Sequence, residues 1–152
     1  MAGPSVSAYA LVQATVRALY SRMLTPKTWE SLVRAEHLDA VLSILADTVY
    51  GPHLQLERQA LTPRRTVYQI RWHLAESYEK LIRLTPDQGR PLLLQMWQVY
   101  EVDNLKATLR GIETHASWDQ VRRVLSPMRK YITVTMDDME RMILAGDIGR
   151  AI

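Results

Sequence analysis

A chain of 152 residues with 47% hydrophobic and 23% charged residues has the size and composition of one globular domain. The lack of cysteine excludes disulfides and thiolate metal sites and favours a reducing compartment. The net charge of +3 is spread along the chain, apart from Arg64-Arg65 and Arg122-Arg123, so we expect no nucleic-acid partner, which normally needs a concentrated basic stripe.

The first predicted helix is amphipathic, and two short helices follow it. Its apolar residues recur at three- and four-residue steps, namely Tyr9, Val12, Val16, Leu19, Tyr20 and Met23. Thr25-Pro26 should end this helix and start the second, because threonine is a good N-cap and proline is tolerated at the first helical position. A third helix from Leu38 to Leu45 is predicted to close at Tyr50-Gly51-Pro52.

Two further Thr-Pro pairs mark the long helices in the middle of the chain. Thr62-Pro63 is predicted to open a fourth helix that runs to about Leu81. Thr85-Pro86 precedes a fifth helix, from near Pro91 to Arg110, with Gly111 as its C′ residue.

The last elements are predicted from capping boxes. Ser117 with Gln120 introduces a short helix, and Thr135 with Asp138 introduces another that carries Met139. Residues 131–134 are a candidate extended stretch, but no segment shows a convincing two-residue alternation. The predicted class is therefore all-α.

An internal repeat relates the second predicted helix to the last one. Thr25 corresponds to Thr135, Glu30 to Glu140, and Leu38 to Ile148. The repeat predicts a first helical unit over residues 1–126 and a partial second unit over residues 127–152. Because the second copy stops in mid-pattern, we expect a truncated chain. Its orphan half-unit should expose three apolar residues, Met139, Met142 and Ile143.

The motifs of catalytic and cofactor-binding proteins are missing from the sequence. The phosphate-binding patterns GxxxxGK[ST] and GxGxxG are absent, and the four histidines never pair at the spacing of a helical metal site. No apolar run approaches the roughly 20 residues of a membrane span, and the N-terminus does not read as a signal peptide. We therefore predict no catalytic residue, no cofactor and no metal.

Polar residues interrupt the apolar face of the fifth helix. Glu101, Asn104 and Thr108 project between large apolar side chains, where a carboxylate or an amide must be hydrogen-bonded. We expect Arg17 of the first helix to neutralise Glu101, and Asn104 to bond to backbone groups at a neighbouring helix end. These groups should fix the register of the helix bundle. The alternative, an acid–base site, lacks a nucleophile or metal nearby.

Three segments resemble the C subunit of the V-type (archaeal and bacterial A/V-type) ATPases, which is called the d subunit in eukaryotes. Residues 9–25 resemble the opening helix of that family, and residues 38–51, which end in DTVYG, resemble its "l…L..T.Yg" element. Residues 100–111, YEVDNLKATLRG, resemble its "yE..NLk..lRg" signature. The segments come in family order and cover the first part of a family member. The candidate structural or interaction residues are Arg17, Tyr50, Gly51, Glu101, Asn104, Arg110 and Gly111.

The resemblance implies a helical bundle that is one unit of a pseudo-threefold helical funnel, plus the start of a second unit. It also implies a non-catalytic rotor subunit that couples the central-stalk subunits to the proteolipid ring of a proton- or sodium-translocating ATPase or ATP synthase. Such a subunit is cytoplasmic and peripheral, and meets the membrane only through its partners. Two alternatives stay open: a helical scaffold of another complex, and a basic nucleic-acid-binding helical domain.

Overall fold

The computed structural model describes residues 6–55 and 62–147, and this part of the chain is helical without a β-strand. A 3-10 turn, Val6–Tyr9, leads into α1 (Ala10–Tyr20), α2 (Pro26–Val33), α3 (Leu38–Ala46), α4 (Gly51–Gln55), α5 (Pro63–Leu84), α6 (Arg90–Glu113), α7 (Trp118–Val121) and α8 (Met136–Ala145). The predicted all-α class is confirmed. The predicted extended stretch at residues 131–134 is wrong, since Tyr131 is left-handed with φ of 58°.

Four helix starts lie where their capping residues predicted them. The hydroxyls of Thr25 and Thr62 accept the backbone N–H three residues on, and a proline follows each of them. Ser117 and Thr135 both complete capping boxes. Such caps are local, because one short side chain satisfies a helical N–H that otherwise lacks a partner.

Two predicted boundaries are wrong. Thr85 does not cap α6 but ends α5, with its hydroxyl donating to the carbonyl of Leu81 at 2.7 Å. Gly51 begins the short helix α4 instead of closing α3, and its backbone N–H donates to the carbonyl of Thr48. A Cβ at Gly51 would lie 2.0 Å from the carbonyl oxygen of Ala46, so only glycine fits at this position.

The two long helices organise the packing. α5 packs against α1, α4 and α6, whereas α6 also packs against α7 and α8. Three buried clusters result: Ala75, Ile82, Trp97 and Met128 between α5 and α6; Leu42, Leu45 and Leu54 on α3 and α4; and Val121, Leu125 and Met139 under α7 and α8. No helix among the described residues is long and apolar enough to cross a bilayer.

The predicted exposure of α8 is wrong. Met139 and Met142 are 1% and 2% exposed, and Ile143 is half-buried. These side chains pack onto α6 and α7, with Val121 and Leu125 as neighbours of Met139. Within the described chain, α8 is therefore an integral part of the bundle.

Candidate functional site

A stripe of buried side chains runs along one face of α6. It consists of Trp97, Glu101, Asn104 and Thr108, which recur at helical spacing and which we call the α6 stripe. The first three bond to the segment between α7 and α8, residues 122–135, which we call the connecting segment. The fourth donates its hydroxyl to the carbonyl of Asn104 within the helix, at 3.0 Å.

The carboxylate of Glu101 is held by backbone amides. Its Oε1 accepts the N–H groups of Thr133 and Val134, each at 2.6 Å, and the residue is only 6% exposed. The predicted ion pair with Arg17 is wrong, because Arg17 is exposed on α1 and no ion pair joins the two described residues. Two N–H dipoles aimed at one oxygen stabilise a buried carboxylate without a cation.

The amide of Asn104 pairs with both backbone groups of one residue. Its Oδ1 accepts the N–H of Ser126 at 2.7 Å, and its Nδ2 donates to the carbonyl of Ser126 at 2.9 Å. The expectation that Asn104 binds backbone groups is therefore confirmed. The expected position at a helix end is wrong, because Ser126 lies in the connecting segment, five residues after the last residue of α7.

Trp97 is the member of the stripe whose hydrogen bond the sequence analysis did not predict. Its indole N–H donates to the carbonyl of Lys130 at 3.0 Å, and its ring stacks on Tyr78 with centroids 5.1 Å apart. A buried indole normally finds an acceptor for its single N–H, which is the signal that could have predicted this bond. From α5, Arg71 adds a bond to the carbonyl of Val124 at 2.6 Å. The connecting segment contains no strand, but hydrogen bonds from side chains of α5 and α6 anchor it at several points along its length.

Gly111 lies inside α6, so its predicted role as the C′ residue is wrong. The helix continues to Glu113, and the left-handed residue beyond it is His115, with φ of 52°. Gly111 is buried because α7 and α8 both approach it closely. A Cβ here would meet Val121 Cγ2 at 2.5 Å and Ile143 Cδ1 at 2.8 Å.

We expect Gly111→Ala to destabilise the protein by about 1–3 kcal/mol, as overpacking of a close contact does. On an open helix surface the same change would instead stabilise by up to about 1 kcal/mol, because alanine is the better helix former. Urea denaturation decides between the two signs. The double variant Gly111→Ala with Val121→Ala should lose less free energy of unfolding than the two single variants together. Strictly additive losses would contradict the proposed clash.

Tyr50 and Gly51 build the corner between α3 and α4. The half-buried ring of Tyr50 packs against the cluster of Leu42, Leu45 and Leu54 and meets His73 edge-on, with centroids 5.3 Å apart. Arg17 and Arg110 are exposed on α1 and α6. The structure therefore buries three of the sequence-predicted residues on α6 (Glu101, Asn104, Gly111), places two at this corner, and leaves Arg17 and Arg110 on the surface.

An apolar groove lies between α1 and α5, with a cavity volume of about 520 Å³. The apolar lining, which defines the α1/α5 groove, comes mainly from Val16, Leu19, Tyr20, Met23, Ile70, Leu74 and Leu81. Tyr20 is 75% exposed, so the predicted apolar face of α1 is only partly covered by the bundle. Contiguous exposed apolar surface of this kind marks interaction sites in soluble proteins.

His73 contributes to the wall of this groove. Burial lowers its pKa, and the nearby His53 and Arg22 lower it further, whereas Glu76 acts in the opposite direction. The imidazole is therefore uncharged at neutral pH, which suits an apolar surface. In the part of the chain that the structure describes, no cluster of three or more His, Asp or Glu residues could hold a metal ion.

Comparisons with known proteins agree with the resemblance seen in the sequence. The sequence model of the ATP synthase (C/AC39) subunit family matches residues 12–152. Relatives include the C subunit of the A-type ATP synthase of Methanocaldococcus jannaschii, 22% identical over 121 residues, which covers 79% of this chain and 30% of the relative. The protein of the same name from Archaeoglobus fulgidus is 23% identical over 143 residues, which covers 90% of this chain and 42% of the relative.

The aligned part of this chain therefore spans only 30% and 42% of the length of these two curated relatives. No solved structure matches it significantly. The family match includes α2 to α8 and the two resembling segments that carry Tyr50 and Glu101. Because the match covers nearly the whole chain, this protein belongs to the ATP synthase (C/AC39) subunit family.

Proposed function

We propose that this protein is a non-catalytic central-stalk subunit of a V-type proton- or sodium-translocating ATPase or ATP synthase. It couples the stalk to the proteolipid ring and is cytoplasmic, meeting the membrane through its partners. The observation that carries the proposal is the family match over residues 12–152. In the proposal, residues 1–126 form the first unit of a repeated helical funnel, and residues 127–152 form the start of the second.

The exposed apolar side chains support a role in binding other proteins. They lie on several helices: Leu11, Val16 and Tyr20 on α1, Trp29 and Val33 on α2, and Leu92, Val99 and Leu109 on α6. An adaptor between two assemblies must offer binding surface to more than one partner. Apolar surface on separate helices meets that requirement, and burying it would stabilise each interface by about 25 cal/mol per Å² before the costs of association.

The α6 stripe supports a mechanical role. A subunit that transmits rotation must pass force between its elements without local unfolding. Hydrogen bonds from Trp97, Glu101 and Asn104 tie the connecting segment to α6, and α8 packs directly on the same helix. Segments with many buried contacts and paired backbone groups open only at a high free energy, so this half of the bundle moves as one body.

Copurification tests the proposal. A tagged form of the full chain should retain both proteolipid-ring and central-stalk subunits from detergent-solubilised membranes of its natural source. Replacing Tyr20 and Met23 in the α1/α5 groove by serine should reduce that retention. The change Leu144→Ser on α8, where the leucine is equally exposed, should not. Retention of neither assembly by the folded wild-type chain would overturn the proposal and favour a scaffold of another complex.

A further inference from the structure

The outer face of α6 carries a second row of apolar side chains. Five of them are between 44% and 63% exposed: Leu92, Met96, Val99, Val102 and Leu109. Val99, near the middle of the row, lies about 200° around the helix axis from the buried Trp97, at about 100° per residue. Within the described chain, the helices that pack on α6 therefore leave this outer face uncovered.

The spacing along this face is that of a coiled coil. Positions 92, 99 and 106 lie seven residues apart, and positions 95, 102 and 109 each follow three residues later, which is the a and d pattern of a heptad. All six residues are exposed, and we call them the outer seam: Leu92, Gln95, Val99, Val102, Lys106 and Leu109. Four of the six are leucine or valine, so the outer seam offers a narrow apolar stripe to one further helix.

We infer that the outer seam pairs with the outer seam of a second copy of this chain, with the two helices antiparallel. A two-fold axis midway between positions 100 and 101 places Leu92 opposite Leu109 of the second copy. The same axis places Val99 opposite Val102 and Gln95 opposite Lys106, because the members of each pair lie equally far on either side of it. The seam is therefore complementary to itself, as a two-fold interface requires.

The charges on α6 favour this antiparallel arrangement. A parallel pair would place Lys106 against Lys106 of the second copy, and opposed like charges are costly. In the antiparallel pair the ammonium group faces the amide of Gln95, whose oxygen can accept its hydrogen bond. The same axis places two further charged residues of this face opposite uncharged ones: Asp103 opposite Gln98, and Arg110 opposite Pro91. A single polar pair of this kind sets the register of a coiled coil at some cost in stability.

The length of α6 sets the expected strength of the dimer. With 24 residues the helix is about 36 Å long, and at a width of about 10–12 Å two such faces cover roughly 800 Å² in projection. Specific interfaces bury about 1,200–2,000 Å² of accessible surface, so we expect a weak dimer with a dissociation constant in the micromolar range. Pairing through α6 goes beyond the proposed function, since it uses neither the α1/α5 groove nor a ring or stalk subunit. The two proposals therefore stand or fall separately.

Sedimentation equilibrium of the purified full chain over about 5–500 µM measures the association. The mean mass should rise with concentration from that of one chain toward that of two. Val99→Lys should weaken the association at least about tenfold, because the two-fold axis places the new charge against Val102 at two points of the interface. Val67→Lys introduces the same charge at an equally exposed valine on α5 and should leave the association unchanged.

A mixture of two variants tests the predicted register. Val99→Lys and Val102→Glu should each associate poorly alone. Mixed together, they should associate at least about tenfold more tightly than either variant alone, because the new ammonium group of one chain faces the new carboxylate of the other. In a parallel pair positions 99 and 102 would not face each other, so mixing would recover nothing.

Disulfide formation tests the direction of the helices, since the chain has no cysteine of its own. Leu92→Cys mixed with Leu109→Cys should form a mixed disulfide under mild oxidation. Leu92→Cys alone should not cross-link, because its two copies would lie about 26 Å apart along the helices, far beyond the reach of a disulfide. Leu144→Cys, at an exposed leucine on α8, measures the background from random collisions.

Three results would overturn the inference. The first is a wild-type chain that circular dichroism shows to be folded but that stays monomeric over the whole concentration range, which would leave the outer seam to a helix of another protein. The second is cross-linking of Leu92→Cys alone as fast as that of the mixture, which would indicate parallel helices. The third is equal weakening by Val99→Lys and Val67→Lys, which would place the contact elsewhere or assign it to net charge.

Discussion

Replacing Glu101 by alanine should lower the free energy of unfolding by about 3 kcal/mol. The change leaves the N–H groups of Thr133 and Val134 without their acceptor, and each buried unsatisfied donor costs about 1–3 kcal/mol. It also removes the anchor at the C-terminal end of the connecting segment, directly before the N-cap of α8. Denaturation in urea with linear extrapolation measures the loss.

Two single variants serve as controls for this prediction. Glu101→Gln keeps an oxygen acceptor in the same place and should cost about 1 kcal/mol, because the bonds lose their charge assistance but are still made. Glu113→Ala removes an exposed carboxylate from the same helix and should stay within about 0.5 kcal/mol. Equal and small effects at positions 101 and 113 would show that Glu101 is solvated.

The absence of a bond between Arg17 and Glu101 has its own consequence. Arg17→Met should leave stability almost unchanged, because the arginine is exposed on α1. The double variant Arg17→Met with Glu101→Leu should be no more stable than Glu101→Leu alone, since changes at residues without shared contacts have additive effects on stability. A double variant more stable than Glu101→Leu alone would indicate that Arg17 and Glu101 do form the ion pair predicted from the sequence.

Helix starts could be predicted from the sequence because their causes are local. The hydroxyls of Thr25, Thr62 and Thr135 each accept a backbone N–H within their own first turn, and the backbone N–H of Ser117 donates to the side chain of Gln120. The signal and the structure therefore lie within a few residues of each other. Thr85 shows the limit of this reasoning. Its hydroxyl bonds backward to Leu81, and the sequence alone does not distinguish a cap that faces forward from one that faces backward.

The position of Gly111 inside α6 and the burial of the apolar face of α8 could not be predicted from the sequence, because both depend on tertiary contacts. Near the end of an amphipathic segment, glycine normally indicates a C′ residue. Here it provides room for Val121 and Ile143, which belong to other helices. The pattern of α8 likewise predicted an apolar face without showing what covers it, and α6 turned out to be the cover.

The α6 stripe was predicted in position but only partly in its partners. Polar residues within an apolar arc indicated buried hydrogen bonds, and an amide matches the paired N–H and C=O of a backbone, so the partner class of Asn104 was predictable. For the carboxylate of Glu101 we predicted a cationic partner, because charged side chains can be read directly from a sequence. The amides of Thr133 and Val134 have no such signature, although they satisfy the same oxygen.

Trp97→Ala should cost about 3–5 kcal/mol, the range for removing a large aromatic side chain from a core. Trp97 is 1% exposed, stacks on Tyr78 and bonds to the carbonyl of Lys130, so the change opens a cavity and releases the connecting segment together. Thermal or urea denaturation measures the total, and Trp29→Ala is the matched control. Because Trp29 is 56% exposed on α2, its loss should cost less than about 1 kcal/mol.

Trp97→Phe separates the two contributions. Phenylalanine refills most of the cavity but cannot donate to Lys130, so the remaining loss should fall to about 1–2 kcal/mol. The released bond should also speed hydrogen exchange of the amides at residues 131–134 more than that of the amides in α3, because the connecting segment loses one of its anchors while α3 keeps its own core. Uniform acceleration across both regions would show instead that the indole N–H contributes only to global stability.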